Sequence, residues 1–464
     1  MARKRRLKIT PVLVTLNVIV LLLIVGFYIA RLVKYYIKEE GSPTDEGPAL
    51  LVDTVIKKQS YMDLTKGLVY DEENLTYTYK GEINDNYLLY SGMLYRILGI
   101  DEKNNIRAVS EDVVTLMYSG LEKGYSESYV NKWLNVQENV TRSGIYESNL
   151  YNTELLANTK ICTDTIENLT MITCNESNFD NKIAILSLYD YKQAGGKTSF
   201  LNNGDSYYLI NNDKDDHNYY VAKDGEIGIS KLTTRISGVR PVITIDGNTE
   251  LIEGNGKKDS PYVIEKHDIK TLKDIYVGNY IKYNDEVFRV VSLDENSTKV
   301  AATKVLENEN GEVIVKKFST SYSSYSTDKN TLGQYLNNDY FNSLKNNKEI
   351  VESEWGTGRS KLSALDYSES NAYTFKAKIG MLGLGEFYIQ DIYNVFTLTR
   401  GIESSKLIMV ITDTGNVYSD SASSEYAVRV AFSLDNSTKI TGGSGTKEAP
   451  YELGVSKDEE KEEE

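Results

Sequence analysis

Histidine is almost missing from the 464 residues; there are two, His217 and His267. Cysteine is as scarce, with only Cys162 and Cys174. A zinc centre built from imidazole and thiolate takes about four ligands, and these four residues are scattered along the chain. A Ser-His-Asp triad would have to use His217. Basic charge is also in short supply, with 52 Lys and Arg against 67 Asp and Glu and a net charge of −15. A surface this acidic repels phosphate backbones, so nucleic acid is excluded as a partner. Anionic envelope polymers are repelled as well, unless a divalent cation bridges them. The two cysteines lie close together in ICTDTIENLTMITC, and a local disulfide in an oxidising compartment is their natural reading.

The longest uncharged run comes first. Residues 2–8 read ARKRRLK, and Ile9–Ala30 follows without a charge. At 1.5 Å per residue this is about 33 Å of helix, enough for a hydrocarbon core of roughly 30 Å. The basic residues before it place the N-terminus in the cytoplasm, and Tyr28, Tyr35 and Tyr36 suit the outer interface. The expectation is a single-pass cell-membrane protein. It would have a basic tail at 1–8, a signal anchor in the lipid bilayer at 9–33 and a stalk at 34–79, with its bulk extracellular.

The remainder repeats itself. NYLLYSGMLYRILGIDE (Asn86–Glu102) is answered by NYIKYNDEVFRVVSLDE (Asn279–Glu295). KWLN at 132–135 is answered by QYLN at 334–337, and KIAILSLYDY from Lys182 by KIGMLGLGEFY from Lys378. GVRPVITID from Gly238 pairs with AVRVAFSLD from Ala427, and GNGKKDSPYVI from Gly254 with GSGTKEAPYEL from Gly443. The order is kept throughout, which marks a duplication. The units span 80–266 and 275–454, joined by a linker at 267–274 and followed by an acidic tail at 455–464. Strand alternation, turn residues and two stretches of helical spacing predict an α+β fold, with antiparallel sheets flanked by helices.

Candidate sites are few. Asp213, Asp215 and Asp216 in NNDKDDHN offer oxygens to calcium, although the loop lacks the glycine and terminal glutamate of an EF-hand. The other reading is a solvated acidic loop, with no cofactor. Arg96, Arg289, Arg240 and Arg429 recur at matched places in both units. A guanidinium fork suits carboxylate or sugar recognition. The alternative is a structural arginine paired with a buried acid, Asp101 or Asp294. Ser326–Lys329 fits S-x-x-K without its companion motifs. TGGSGT at 441–446 has no following Lys-Ser/Thr and is the closing turn of the repeat.

In combination, LYRILGI, KWLN, KIAILSL, GVRPV and GNGKKDSPYVI resemble a domain of unknown function found in surface and secreted proteins of low-GC Gram-positive bacteria. The second unit departs at AVRVAF. That family is similar, distantly, to C-type-lectin-like folds, so the resemblance implies two tandem C-type-lectin-like domains behind the anchor. Neither Glu-Pro-Asn nor Trp-Asn-Asp occurs here, so the lectin ligands are not carried over. The function expected is membrane-anchored binding, adhesion or scaffolding without catalysis, with an envelope glycan or a protein as partner. An accessory subunit of a membrane or secretion complex and a carboxylate-based envelope enzyme are the alternatives.

Overall fold

The opening block of each unit is a tight hairpin because its two turn residues tolerate a left-handed backbone. Tyr87–Tyr90 pairs antiparallel with Met93–Ile100 across Ser91 and Gly92, whose φ values are 47° and 66°. In the second unit Tyr280–Tyr283 pairs with Glu286–Leu293 across Asn284 and Asp285, at 51° and 66°. Two positive φ values in a two-residue turn give the twist that antiparallel strands need. The computed structural model describes residues 48–454 except 118, 120, 122–123, 136–149, 151, 176, 179–180, 231–236, 267, 361–372, 384–393 and 413–416.

Each hairpin continues into a larger sheet by the same route. The strand Ile106–Ser110 adds to Met93–Ile100, and Pro241–Ile245 adds to Ile106–Ser110. In the second unit Ser297–Ala302 and Ala431–Asp435 take those places. A closing strand returns to lie parallel to the first, Tyr262–Val263 beside Tyr87–Tyr90 and Tyr451–Gly454 beside Tyr280–Tyr283. The turn before it needs glycine. A Cβ on Gly254 would sit 1.8 Å from the Pro261 carbonyl oxygen, and one on Gly443 would sit 2.1 Å from that of Pro450. The carbonyls of Gly256 and Gly445 then accept from the amides of Tyr87 and Tyr280, at 2.7 and 2.8 Å. A smaller sheet lies in each unit, centred on Tyr207–Asn212 in the first and on Val395–Gly401 in the second.

The helices are short. Tyr129–Leu134 is capped by Ser128 and stops at Asn135, whose side chain turns away to clamp a strand. Asn135 Nδ2 donates to the Ile183 carbonyl at 3.0 Å, and its Oδ1 accepts from the Ile183 amide at 3.2 Å. Asn337 does the same to Ile379, at 2.9 and 3.0 Å. This is the physical content of the matched KWLN and QYLN blocks. Leu188–Gln193 begins in a reciprocal Ser187–Asp190 capping box and ends before Gly195, which is left-handed at φ 111°.

The α+β class expected above, with a transmembrane helix and two C-type-lectin-like domains, is therefore corrected to a mainly β protein. Strands outweigh helices, 40% against 12%. The helically spaced stretches yield only one or two turns in the first unit, because capping and clamping side chains end them early. A transmembrane helix and a single-pass chain are not supported. Among the described residues no helix is long and apolar enough to cross a bilayer, and residues 9–33 lie outside those described.

Two segments outside the expected units are structured. Residues 50–79, assigned above to a stalk, hold the helix Leu51–Ile56 and the hairpin Gly67–Asp71/Thr76–Lys80. That hairpin joins the first unit's sheet through Tyr77 opposite Ile100 and Thr78 opposite Gly99. The GLVYDEENLTYTYK alternation is a hairpin pattern around a polar turn. In the expected linker Leu272 is buried, and Thr271 and Asp274 form a reciprocal cap. Residues from Leu50 onward form one compact unit.

Candidate functional site

A cleft of about 710 Å³ opens in the first unit. One wall is the hairpin Gly67–Asp71/Thr76–Lys80, a second is the end of Met93–Ile100 with Asp101 and Glu102, and a third is the start of Leu188–Gln193. Cys162 and Cys174, which are disulfide-bonded, border it. A volume of this size lies within the range of small-ligand sites, about 300–1,000 Å³.

The hairpin docks where it does because of one glycine. A Cβ on Gly99 would lie 2.0 Å from the Tyr77 carbonyl oxygen. The matched position in the second unit is Ser292, where the partner register also shifts. Serine there carries the Cβ that Gly99 lacks. The two frames thus share their architecture, but among the described residues this added wall belongs to the first.

Six carboxylates and three cations line the cleft, and several of them hold each other in place. Arg107 donates through both Nη atoms to Asp190, at 2.9 and 3.2 Å, while its Nε is buried without a partner. Burial works against the charged form of Asp190, but the Arg107 guanidinium and the Ser187 hydrogen bonds outweigh it and hold the carboxyl below its ordinary value. Asp71 accepts from the Asn74 side chain and the amides of Glu73 and Asn74, and the Asn74 bonds chiefly lower its pKa. Asp101 accepts from the amides of Lys103 and Asn105. These three acids build turns and an ion pair. Glu72, Glu73 and Glu102 are exposed, and their carboxylates make no hydrogen bond or ion pair among the described residues.

Tyrosines supply the aromatic surface. Tyr70 and Tyr77 are directly opposed across the hairpin with ring centroids 4.7 Å apart. Burial, with Tyr70 and Tyr61 nearby, raises the Tyr77 phenol. Tyr189 lines the cleft beside Asp190, and burial, then Asp190 and Asp71, raise its phenol.

Comparison of the chain with protein-family models, curated proteins and solved structures finds no match. The site must be read from its own residues.

The arginines and the acidic loop singled out from sequence lie elsewhere. The four matched arginines are buried and bonded inside the frame. Arg96 donates to Asn86, the Ile83 carbonyl and Glu111, and lies over the Tyr87 ring. Its acid is Glu111 rather than Asp101. Arg289 donates to the carbonyls of Gly278 and Val113, the second of these in the other unit. Arg240 bonds the carbonyls of Ser110 and Leu201, and Arg429 bonds that of Ala302. None of the four lines the large cleft.

Asp213, Asp215 and His217 converge at a hairpin tip, with ligand atoms within 4.8 Å of one another. Asp216 is not in the group; at φ 60° it forms the turn. Asp213 Oδ1 already accepts from the amides of Asp215 and His217, and Oδ2 meets the His217 ring at 3.0 Å. Calcium takes about six to eight oxygens, and this tip offers two carboxylates and an imidazole, a poor match. No cofactor is established here. His267 lies outside the described residues.

Proposed function

We propose that the chain is a binding or scaffold protein that holds its ligand in the cleft of the first unit and performs no catalysis there. One observation carries this reading. Of two frames built alike, the first has a hairpin on this sheet edge that encloses a lined cleft, and the described residues of the second have none there. The matched residues maintain the frame, and the unmatched ones provide the surface that a ligand meets.

The lining suits binding better than turnover. It contains no histidine, and its cysteines are tied together. General acid catalysis uses a carboxyl raised toward neutral pH. Asp71 and Asp190 are both held low. The disulfide favours an oxidising compartment as the place of action, where an envelope glycan or a protein is the available partner.

Retention of the purified protein on envelope fractions tests the reading. Replacing Thr78 by arginine and Tyr189 by leucine together should abolish saturable retention, while Asp215→Asn with Asp216→Asn should leave it intact. Retention that is indifferent to the change at Thr78 and Tyr189 would sink the assignment of the cleft. Retention lost with the acidic tip would move the site there.

A further inference from the structure

Strand pairing decides which side chains face the cleft. Val69 stands opposite Thr78, Thr78 opposite Gly99 and Gly99 opposite Arg107. Residues paired across an antiparallel sheet share a face, and alternate residues along a strand return to it. Thr76, Thr78 and Lys80 therefore lie on the Arg107 face, and Tyr70 and Tyr77 on the other. The bond from Arg107 to Asp190 ties this face to the helix Leu188–Gln193. Tyr189 and Gln193 both line the cleft from that helix. They are four residues apart and so stand on one side of it.

The charges within the cleft are mostly engaged. Arg107 and Asp190 hold each other, and Asp71 and Asp101 bond their own turns. Lys160 has a partner, and Lys80 stands at the base of the hairpin. The groups left free beside them are neutral and polar. The hydroxyls of Thr76, Thr78 and Tyr189 and the side-chain amide of Gln193 make no hydrogen bond among the described residues. Each of these four groups both donates and accepts.

An apolar ligand would cover them and leave them unsatisfied. An anion would meet exposed Glu72, Glu73 and Glu102 and a chain of net charge −15. A cation would find the two buried or turn-bound aspartates already occupied. An extended peptide adds to an open strand edge, whereas this cleft opens on the face of a sheet. A ligand dense in hydroxyls matches what is there. Its hydroxyls donate and accept as the four free groups do, and the apolar face of a pyranose packs on an aromatic ring such as that of Tyr189.

We propose that the cleft binds an uncharged sugar chain, hydrogen-bonded by Thr76, Thr78 and Gln193 and stacked on Tyr189. The proposal rests on the cleft being the binding site and names the chemical class of its ligand.

Competition for retention on envelope fractions tests it. The competitors are chitotriose and maltotriose, uncharged sugars with and without acetamido groups, and trigalacturonate as their anionic counterpart. At least one uncharged sugar should displace the purified protein, and the more effective names the source. Trigalacturonate should not, and neither should high salt, which screens charge. Thr78→Val removes a hydroxyl at nearly constant shape. That change and Gln193→Leu should each weaken retention about tenfold, the loss of one hydrogen bond, with folding checked by near-UV circular dichroism. Failure of both uncharged sugars to displace the protein would overturn the proposal. The cleft would still be the site if retention depended on Thr78 and Tyr189. Displacement by an uncharged sugar with retention unchanged in Thr78→Val and Gln193→Leu would overturn it too, because the sugar would then bind elsewhere.

Discussion

The ion pair behind the cleft is the residue most open to test. The Asp190 side chain is 8% exposed and that of Arg107 19%, so neither charge is well solvated alone. Removing one partner of such a pair strands the other, at a cost of about 3–5 kcal/mol. Asp190→Asn should therefore lower stability by roughly that much, the more so because Asp190 also completes the cap on Leu188–Gln193. The folded pKa is depressed, so the contribution of Asp190 is complete above its unfolded value near 3.8 and fades as pH falls through the lower folded value. Urea titrations of wild type and variant from pH 7 down to pH 2 check both points. The gap between them should narrow only at the acid end. A gap that stayed constant to pH 2 would mean that charge is not what Asp190 contributes.

Residue identity was legible in the sequence where partners are not. Arg96 recurs in both units, and its burial follows from lying in an apolar strand. Its acid did not follow. Asp101 is nearer the strand end, but its carboxylate caps its own turn, and cross-strand register delivers Glu111 instead. Arg96 stands opposite Val109, two residues before Glu111. Register is set by pairing between strands, and a single arginine carries no trace of it. The acidic tip shows the same limit. Asp213 and Asp215 come together, but Asp216 turns out and His217 turns in.

At the scale of elements, order and pairing partners could be read from the repeat, and the cleft could not. Its hairpin lies in residues 67–80, ahead of the first matched block, so comparison of the two copies passes over it. What permits docking is the absence of a side chain at Gly99. Gly99→Ala should force the hairpin off the edge of Met93–Ile100, raising amide exchange across 67–80 and removing ligand retention while the second unit is unaffected. Unchanged exchange across 67–80 would show that the strands adjust around the Cβ. The asparagine clamps give an independent prediction. Asn337→Ala leaves the Ile379 amide without its partner, while the carbonyl keeps the Tyr325 hydroxyl, and an unsatisfied buried group costs about 1–3 kcal/mol. Asn135→Ala should cost a similar amount, since it makes the same pair of bonds to Ile183. Chemical denaturation of the two variants compares them directly, and a neutral result in either would break the structural equivalence of the two blocks.

At the scale of the whole molecule the two frames interlock rather than hang as separate beads. Gly92, in the hairpin turn of the first unit, accepts through its carbonyl from Asn279 Nδ2 at 2.9 Å, and Arg289 reaches across to the Val113 carbonyl. A Cβ on Gly92 would lie 2.2 Å from the Tyr276 ring, and the residue has φ 66°. Gly92→Ala therefore meets two penalties at once, a left-handed backbone and a collision with an aromatic side chain buried at the junction. Alanine at such a φ costs more than about 1 kcal/mol before any clash is counted. The matched turn in the second unit, Asn284-Asp285, has room for side chains, which bond Asn346 and Lys345. This asymmetry makes the test specific to docking. In scanning calorimetry wild type should unfold in one cooperative transition. Gly92→Ala should divide it into two, because each frame keeps its own core while the contact between them is lost. A single transition shifted downward would mean instead that the turn belongs to the first frame's folding and that the junction contributes little. Asp285→Asn serves as the control, since asparagine tolerates φ 66° and the change removes only an ion pair with Lys345 on an exposed surface.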